Sequence, residues 1–324
     1  MSINEVRWLS ECGSTNAYAK EHFEEFGPVG AVYTTNQTAG RGRLGRSWVN
    51  AEGRALYYTA VIREPLAQPA TLPLLASLAV REQLARRYGV DCQIKWPNDL
   101  LLNGKKIVGI LCESVSYGYQ MQGRGIVCGI GINLAQPQSY FDAADLPNGT
   151  SLELQGAAVD LDADPQWLAE ALTDFGFDRP LYTFAREGFA PFREEYKAAC
   201  INLGRHVTFD LPGGELGSGT AIDVDADGQL IVRTDSGEEK VFTGEVSVHG
   251  IYGAVKIFLH PLRLCGPHGP GGAFCFPRKG YRGLRSLHSF PQRRFAGSRL
   301  WKTPGPKIPE GRAVFLSGAK CLRK

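Results

Sequence analysis

Residues 37–48, Gln-Thr-Ala-Gly-Arg-Gly-Arg-Leu-Gly-Arg-Ser-Trp, form the part of the chain best suited to bind an anion. Within seven of these residues, three glycines alternate with three arginines, so the backbone can turn sharply and approach a ligand. The guanidinium groups of Arg41, Arg43 and Arg46 can bind carboxylate or phosphate oxygens in bidentate fashion, and Trp48 offers a broad face to a flat group. The segment predicts a site for an anionic, partly flat molecule such as a nucleotide or an acyl-adenylate.

Other interpretations of this segment are weaker. A solvated basic loop would leave three arginines together with no anion to relieve their mutual repulsion. A Walker P-loop requires Gly-Lys-Ser/Thr after the glycines, and a Rossmann fingerprint requires a different glycine spacing at the start of a helix. We therefore expect residues 37–48 to bind a ligand.

A second group of polar side chains lies in Lys95-Trp-Pro-Asn-Asp99, just before a hairpin signal. Asn98 and Asp99 suit a local side-chain turn as well as they suit a ligand site. The hairpin signal is Asn103-Gly104, the pair typical of a two-residue type I′ turn. Its position next to the polar cluster raises the odds that the cluster has a function.

Two lysines, Lys105 and Lys106, follow the turn. Side chains of successive residues in a strand point to opposite faces, so one lysine can face inward while the other remains in water. An inward lysine would neutralise the charge that develops when a carboxylate attacks an α-phosphate. The alternative is a pair of edge-strand lysines that deter aggregation. Gly109, on an otherwise apolar strand, indicates close approach by a ligand or by another backbone segment.

Two shorter polar segments each allow a structural and a functional interpretation. Ser14-Thr15-Asn16 suits helix capping, with Ser14 as the cap, or hydrogen bonding to a small polar ligand. Asn133 ends a buried strand and is either an ordinary strand exit or a nucleotide contact. Metal-ligand spacing is absent from the sequence, and no Gly-x-Ser-x-Gly segment supports a serine hydrolase.

The elements that position these groups follow from residue periodicity. We expect strands at residues 6–9, 30–35, 55–62, 100–102, 105–115 and 125–134, and helices at residues 14–26 and 72–88. Residues 164–199 predict two further helices. The order of elements predicts an α+β fold, in which helices flank a mixed or antiparallel sheet.

The chain is expected to contain three parts. Residues 1–203 form the main domain, and short alternating segments within residues 204–253 predict a small β-barrel that leans on it for stability. Residues 254–324 contain eight of the 19 prolines and ten of the 39 glycines without sustained periodicity, which predicts disorder.

Charge is distributed unevenly along the chain. Residues 254–324 contain fifteen of the 36 basic residues and one of the 33 acidic residues, a net charge of +14; the other residues carry 21 basic and 32 acidic side chains, a net charge of −11. Eight scattered cysteines with no CxxC pair, no signal peptide and no membrane-length apolar run predict a cytoplasmic protein with reduced thiols. The composition predicts no membrane partner.

Taken in order, the segments from about residue 6 to residue 253 resemble the biotin–protein ligase family. Residues 37–48 are similar to the family's ligand loop, residues 95–100 to its Lys-Trp-Pro-Asn-Asp-Leu segment, and residues 105–113 and 129–134 to two of its strands. The resemblance implies a class II synthetase-like catalytic core with a C-terminal SH3-like barrel. It also implies a two-step reaction, in which biotin and MgATP give biotinyl-5′-AMP and biotin then passes to a lysine of a biotin carboxyl carrier domain.

The resemblance also implies residue roles. Lys106 and Arg43 would be catalytic. Biotin would be bound by Ser14, Thr15, Asn16, Gln37, Gly40, Arg41, Gly42, Arg43 and Lys106. ATP and the adenylate would be bound by Arg41, Arg43, Arg46, Trp48, Asn98 and Asn133. No metal ligand is implied among the protein's side chains, and Mg²⁺ would enter with ATP. The partner would be the carrier domain of acetyl-CoA carboxylase or a related carboxylase, and a weak homodimer is compatible with the family.

The sequence departs from the family pattern in two places, and each departure leads to a prediction. The catalytic motifs begin near residue 14, which leaves no room for the winged helix of the family's repressors and argues against operator DNA binding. The basic tail has no counterpart in the family, and its composition is more typical of a read-through or frameshifted end than of a nucleic-acid-binding extension. A lipoate–protein ligase of the same fold is the nearest alternative function, and residues 95–99 fit biotin better.

Overall fold

The computed structural model describes residues 5–42, 47–51, 53–210, 215–242 and 252 of the 324-residue chain. They all lie in one compact unit, Met1–His260. The strands of the described part are β1 Glu5–Trp8, β2 Val29–Thr34, β3 Gly40–Arg41, β4 Ser47–Trp48, β5 Ala55–Ile62, β6 Gln93–Lys95, β7 Asp99–Leu102, β8 Lys105–Tyr117, β9 Gly123–Asn133, β10 His206–Asp210, β11 Leu216–Val224, β12 Leu230–Thr234 and β13 Gly237–Val241. Its α-helices are α1 Thr15–Glu21, α2 Leu72–Tyr88, α3 Gln138–Ala143, α4 Asp164–Ala171, α5 Arg179–Glu187 and α6 Arg193–Ala199.

A seven-stranded sheet forms the centre of the molecule, in the order β1-β2-β5-β9-β8-β7-β6. Its β1–β2 pair is parallel and its other pairs are antiparallel. The prediction of a mixed sheet with flanking helices is therefore confirmed. Strand β5 and helix α2 have the predicted bounds, and the Asn103-Gly104 turn has positive φ at both residues, as a type I′ turn requires.

The period of two along the strands divides the sheet into an apolar face and a mixed face. On the first face Ala60, Ile62 and Ile130 are buried in the main core, which includes many residues of α2. On the second face, Val61 and Val127 are buried with aromatic side chains that follow α1. Complete burial of one such branched side chain contributes about 1.5–3 kcal/mol. The second face continues beyond this small cluster as the floor of a cavity.

Helix α1 begins as predicted, since Ser14 caps it by accepting a hydrogen bond from the Ala17 N–H at 3.5 Å. It ends earlier than predicted, at Glu21, and a 3₁₀ turn at Phe23–Glu25 follows. Phe23 and Phe26 are both buried on the second face of the sheet. The predicted helix is therefore an α-helix followed by a tighter turn.

The prediction of two helices at residues 164–199 is wrong. This segment contains α4, a π-helical stretch at Leu172–Asp178, α5 and α6. Pro165 and Pro180 lie in the first turns of α4 and α5, and Pro191 lies in a 3₁₀ turn just before α6. Proline is tolerated in a first turn but not in a helix interior, so Pro165 and Pro191 mark new helical elements. At Pro180 the helical run continues unbroken from the π-helical stretch into α5.

A second, antiparallel sheet has the strand order β10-β11-β12-β13. The buried Trp96 joins the two sheets, because its indole Nε1 donates to the Gly228 carbonyl at 3.0 Å. Its backbone N–H donates to Asn202 Oδ1 at 2.8 Å. Residues 243–251 and 253 of the predicted β-barrel, and the predicted disordered tail, lie outside the described residues, so the closed barrel stays a prediction.

Across the described residues, no helix combines the length and the apolarity needed to cross a bilayer. Within this part of the chain no disulfide joins any of its five cysteines, Cys12, Cys92, Cys112, Cys128 and Cys200.

Candidate active site

A cavity of about 420 Å³ opens on the second face of the central sheet. Most residues that the sequence predicted for the site meet there, although they come from distant parts of the chain. The cavity is lined by Ser14, Thr15, Asn16, Gln37, Arg41, Gly42, Trp48, Asn98, Lys106 and Asn133. Arg43 and Arg46 lie outside the described residues.

Glycines form the floor of the cavity. Gly109 of β8 and Gly131 of β9 are register partners, and the Trp48 ring lies directly over both. A Cβ added to Gly109 would be 2.5 Å from this ring, and one added to Gly131 would be 2.8 Å from it. The close approach predicted at Gly109 is therefore made by an aromatic side chain. Trp48 is fixed on the sheet and presents the rest of its surface to the cavity.

Asn16 lies against a third glycine, Gly129, where an added Cβ would be 2.3 Å from Asn16 Oδ1. The amide nitrogen of Asn16 donates to the Leu111 carbonyl at 3.2 Å and to Glu113 Oε2 at 2.7 Å. Its Oδ1 accepts from the Thr59 hydroxyl at 2.8 Å. Both amide hydrogens are thus used within the protein, while Oδ1 keeps a second lone pair that a ligand N–H can use.

Glu113 is held beside Asn16 by an ion pair with Lys20, Nζ to Oε1 at 2.5 Å. Partial burial opposes ionisation of the Glu113 carboxyl, yet the bonds from Lys20 and Asn16 hold its pKa below the usual value. The positive charge of Arg41 acts in the same direction. The carboxylate therefore fixes which end of the Asn16 amide faces the cavity.

Gln37 completes this end of the cavity. Its Oε1 accepts from the backbone N–H of Thr15 at 2.9 Å and from the Thr15 hydroxyl at 3.2 Å. The amide Nε2 is thereby turned the other way, where it can donate. Gly40 lies behind Gln37, since a Cβ at Gly40 would be 2.5 Å from Nε2, and it shapes the site without being among the lining residues.

The predicted ligand loop is anchored at its base. Strands β3 and β4 pair with Gly40 opposite Trp48, so the two ends of the loop meet over the floor of the cavity. Beyond β4, the Val49 carbonyl accepts from two tyrosine hydroxyls, from Tyr57 at 3.2 Å and from Tyr140 at 2.8 Å. Burial raises the pKa of both phenols, so they remain hydrogen-bond donors at neutral pH.

The opposite end of the cavity concentrates charge around Asp99. Lys106 Nζ lies 2.7 Å from Asp99 Oδ1, and Lys95 Nζ lies 3.9 Å from Oδ2. The Tyr252 hydroxyl donates to Oδ2 at 2.9 Å. Burial opposes ionisation of the Asp99 carboxyl, but Lys106 and Lys95 lower its pKa below the ordinary value. The cluster carries two cations and one buried anion, a net positive charge suited to phosphate.

The hairpin divides its two lysines as the sequence predicted. Lys106 lines the cavity and Lys105 is not among the lining residues. The backbone of Lys106 is held on both sides, since its N–H donates to the Asn148 carbonyl at 2.7 Å and its carbonyl accepts from Thr150 at 2.9 Å. The ammonium lies 5.7 Å from the centre of the Trp48 ring.

The two predicted asparagines, Asn98 and Asn133, stabilise the wall of the cavity beside the Asp99 cluster. Asn98 Nδ2 donates to the Ile110 carbonyl at 2.9 Å. Asn133 Nδ2 donates to the Thr150 carbonyl at 2.9 Å, and its Oδ1 accepts from Gln136 at 2.8 Å. Asn133 is therefore a buried strand exit that ties β9 to Thr150, and the two residues before Thr150, Asn148 and Gly149, line the cavity together with Asn133.

Sequence reasoning missed Lys95, Asp99, Tyr140 and Tyr252 as site residues. Lys95 and Asp99 lay within a segment that the sequence singled out, and the alternation of the β6 and β7 strands places both beside Lys106. No local pattern marks the tyrosines, because they reach the site from far along the chain. Among the described residues no group of three or more His, Cys, Asp or Glu side chains is arranged to hold a metal ion.

Residues 11–133 match the biotin/lipoate A/B protein ligase family, and residues 203–248 match the biotin protein ligase C-terminal domain. A biotin–[acetyl-CoA-carboxylase] ligase of Paracoccus denitrificans is 33% identical over 251 residues, which cover 75% of this chain and 100% of that protein. The bifunctional ligase/repressor BirA of Bacillus subtilis is 30% identical over 239 residues, which cover 72% of this chain and 71% of that protein.

The fold is similar to that of a biotin protein ligase from Aquifex aeolicus solved in complex with biotin and ATP. The TM-score is 0.63 at 27% identity, over 76% of this chain and 98% of that one.

Proposed function

The chain belongs to the biotin/lipoate A/B protein ligase family, and from this premise we propose how its own residues carry out biotin ligation. It is a biotin–protein ligase that uses biotin and ATP as substrates. The observation that carries the residue assignments is the division of one cavity into an amide-rich end at Asn16 and a cationic end at Lys106.

The amide-rich end is suited to the ureido ring of biotin. This ring has N–H donors and a carbonyl acceptor. Asn16 Oδ1 has the lone pair for a ring N–H, and Gln37 Nε2 together with the Ser14 hydroxyl can donate to the carbonyl. Thr15 fixes the orientation of Gln37. Because Gly129 has no side chain, Asn16 can lie directly against the sheet.

The chemistry of the first step takes place between the two ends. The biotin carboxylate attacks the α-phosphate of ATP, the bond to the β-phosphate breaks, and pyrophosphate leaves. Lys106 stabilises the negative charge that develops there, because its ammonium is fixed in place by Asp99 before the reaction. Arg41 and Gly42 line the cavity on the loop side, where they can bind the carboxylate. Arg43 and Arg46 are assigned to the same anions from sequence alone.

On the nucleotide side, Trp48, Asn98 and Asn133 shape the wall of the cavity, and Asn133 is held there by its bond to the Thr150 carbonyl. In the second step a lysine amine of a carrier domain attacks the acyl carbon and AMP leaves. We propose that the acceptor is the biotin carboxyl carrier domain of acetyl-CoA carboxylase or a related carboxylase, in agreement with the names of the relatives. A weak homodimer and a cytoplasmic location are further parts of the proposal.

Mg²⁺ is proposed to enter as the MgATP substrate. The described lining of the cavity includes two carboxylates, Asp99 and Asp145, and Asp99 is occupied by Lys106 and Tyr252. Such a donor set fits an ion that retains waters and is held mainly by substrate phosphates. We also propose residues 1–203 as the catalytic domain, 204–253 as the small domain and 254–324 as a tail outside both.

The test is direct. The full chain is incubated with biotin, MgATP and a carrier domain, and transfer is read with labelled streptavidin alongside biotin-dependent pyrophosphate exchange. Transfer with biotin and none with lipoate is the expected result. Transfer of lipoate alone, or neither transfer nor exchange, would refute the proposal.

A further inference from the structure

Tyr252 is the single described residue beyond Phe242, and its side chain lies at the cationic end of the cavity. Its hydroxyl donates to Asp99 Oδ2 at 2.9 Å, across 153 positions of sequence. Its ring packs against the main core and lies 4.6 Å, centroid to Nζ, from Lys95. One side chain therefore contacts both the buried carboxylate and one of the two cations that flank it.

The two oxygens of Asp99 have different partners. Oδ1 forms the close ion pair with Lys106 at 2.7 Å. Oδ2 accepts from Tyr252, and Lys95 lies farther from it, at 3.9 Å. Because the hydroxyl occupies the near position on Oδ2, Lys95 is kept out of close contact with that oxygen. The face of the Tyr252 ring gives its ammonium an alternative, favourable position.

We propose that Tyr252 is a positioning residue for the nucleotide. Its hydroxyl holds Asp99 toward Lys106, and its ring holds Lys95 where the ammonium can meet the phosphates of ATP. This inference rests on the proposed function of the same cavity, and it assigns to the C-terminal region a direct part in charge placement. Without the hydroxyl, Asp99 Oδ2 loses its nearest hydrogen-bond donor, and the carboxylate no longer keeps the two lysines in fixed positions for the phosphates.

The groups around Asp99 determine the direction in which its pKa changes when the Tyr252 hydroxyl is removed. The groups that face it are Lys106 from β8, Lys95 from β6, Tyr252, and the buried phenol of Tyr196 from α6. Lys106, Lys95 and Tyr252 lower the pKa of Asp99, whereas burial raises it. Removing the Tyr252 hydroxyl therefore raises this pKa, and Asp99 takes up a proton at higher pH. The acid limb of the rate profile for ATP must move in the same direction.

The first experiment compares the full chain with its Tyr252→Phe variant, which keeps the ring and removes the hydroxyl. We expect KM for ATP to rise by about threefold to tenfold, because the loss of one hydrogen bond leaves the Lys95 ammonium less well positioned for the phosphates. We expect kcat to change by less than about twofold, and the acid limb of kcat/KM to move to higher pH. Tyr182→Phe, which removes a hydroxyl from a side chain that is 69% exposed on α5, is the matched control.

Two further measurements need no ligase activity. The pKa of the Asp99 carboxyl, read by ¹³C NMR without substrates, should be higher in Tyr252→Phe, and ATP binding measured by calorimetry should weaken. Biotin affinity and the unfolding midpoint should not change. In a Lys95→Met background the effect of Tyr252→Phe on ATP should largely disappear, because the cation that it positions is gone.

An unchanged Asp99 pKa with unchanged ATP binding would overturn the proposal. So would a parallel loss of biotin affinity and unfolding midpoint, which indicates a packing role only. A wild-type chain that shows no biotin-dependent pyrophosphate exchange would refute the ligase function, while the carboxyl pKa and the ATP titration would still decide the role of Tyr252.

Discussion

At the scale of single residues, the site depends on charges that are paired before any substrate arrives. Asp99 is buried and remains ionised because Lys106 and Lys95 lower its pKa. Its partner Lys106 is thereby held in one place, so in the proposed mechanism the ammonium is already positioned when the phosphate binds. Preorganisation of this kind is the main way in which a fixed cation accelerates a reaction that creates negative charge.

Lys106→Ala tests this charge directly. We expect adenylate formation to fall by at least about a hundredfold, since a preorganised charge stabiliser is lost, while the fold is retained because Lys95 and Tyr252 still contact Asp99. Biotin-dependent pyrophosphate release is the measurement, and Lys105→Ala is the control because the neighbouring lysine is not among the lining residues. Near-normal release by Lys106→Ala would remove this residue from the mechanism.

Gly129→Ala tests the amide-rich end of the cavity, which is proposed to bind the ureido ring. The new Cβ would stand 2.3 Å from Asn16 Oδ1, so the amide must leave its bonds to Thr59 and Glu113. We expect biotin affinity to fall about tenfold or more, the effect of about 1.4 kcal/mol, as measured by calorimetry. Gly27→Ala is the matched control, since its Cβ would meet no atom nearer than 3.8 Å. Equal affinities in the two variants would contradict the role given to Asn16.

At the scale of elements, the site depends on how the ligand loop is fastened to the sheet. The β3–β4 pair closes its base, and Tyr57 and Tyr140 both donate to the Val49 carbonyl just beyond it. Two donors on one carbonyl keep the outgoing chain over the cavity. From this arrangement we expect residues 37–50 to cover the adenylate and protect it from water.

Tyr140→Phe should weaken this fastening without opening the core, because Tyr57 still bonds to Val49. We expect biotinyl-adenylate to leave or hydrolyse about threefold to tenfold faster, since one hydrogen bond contributes about 0.5–1.5 kcal/mol. The measurement is the decay of labelled adenylate on the enzyme, with Tyr182→Phe for comparison. Limited trypsin digestion gives a second reading, and loop cleavage that is equally fast with and without adenylate would contradict the covering role.

At the scale of the whole molecule, the chain joins a ligase body to a basic tail. The family matches end at residue 248, and the Aquifex structure is covered almost completely by 76% of this chain. The net charge of +14 on residues 254–324 is the one feature that favours nucleic-acid binding, and that segment lies outside the described residues. The tail is therefore separable from the ligase by experiment.

Deleting residues 254–324 should leave kcat/KM for biotin transfer within about twofold, because every described lining residue precedes the deletion. The same pair of proteins tests DNA binding by gel shift at several salt concentrations, since contacts to phosphates weaken steeply with salt. A salt-sensitive shift that the deletion abolishes would establish a nucleic-acid role for the tail. Loss of biotin transfer would show that the tail contributes to the ligase.

Local patterns predicted a large part of this fold. Strand β5, helix α2, the Ser14 cap and the Asn103-Gly104 turn each depend on residues close together in sequence, and all four were predicted. The strand period predicted that one of Lys105 and Lys106 could face inward, and the family resemblance selected Lys106. Contacts made across the chain were not predictable: Trp96 reaches Gly228 and Tyr252 reaches Asp99 over more than a hundred positions, and no periodicity encodes such a pairing.

The glycine floor of the cavity has a consequence for inhibitors. Any substitution at Gly109, Gly129 or Gly131 adds at least one carbon, and that carbon meets Trp48 or Asn16 at less than 3 Å. A compound that fills the end of the cavity proposed to bind biotin, and rests on this backbone, touches a surface that mutation cannot reshape without displacing those side chains. Resistance to such a compound would therefore have to arise elsewhere in the chain, because every change in these three codons that adds a side chain also damages the site of the natural substrate.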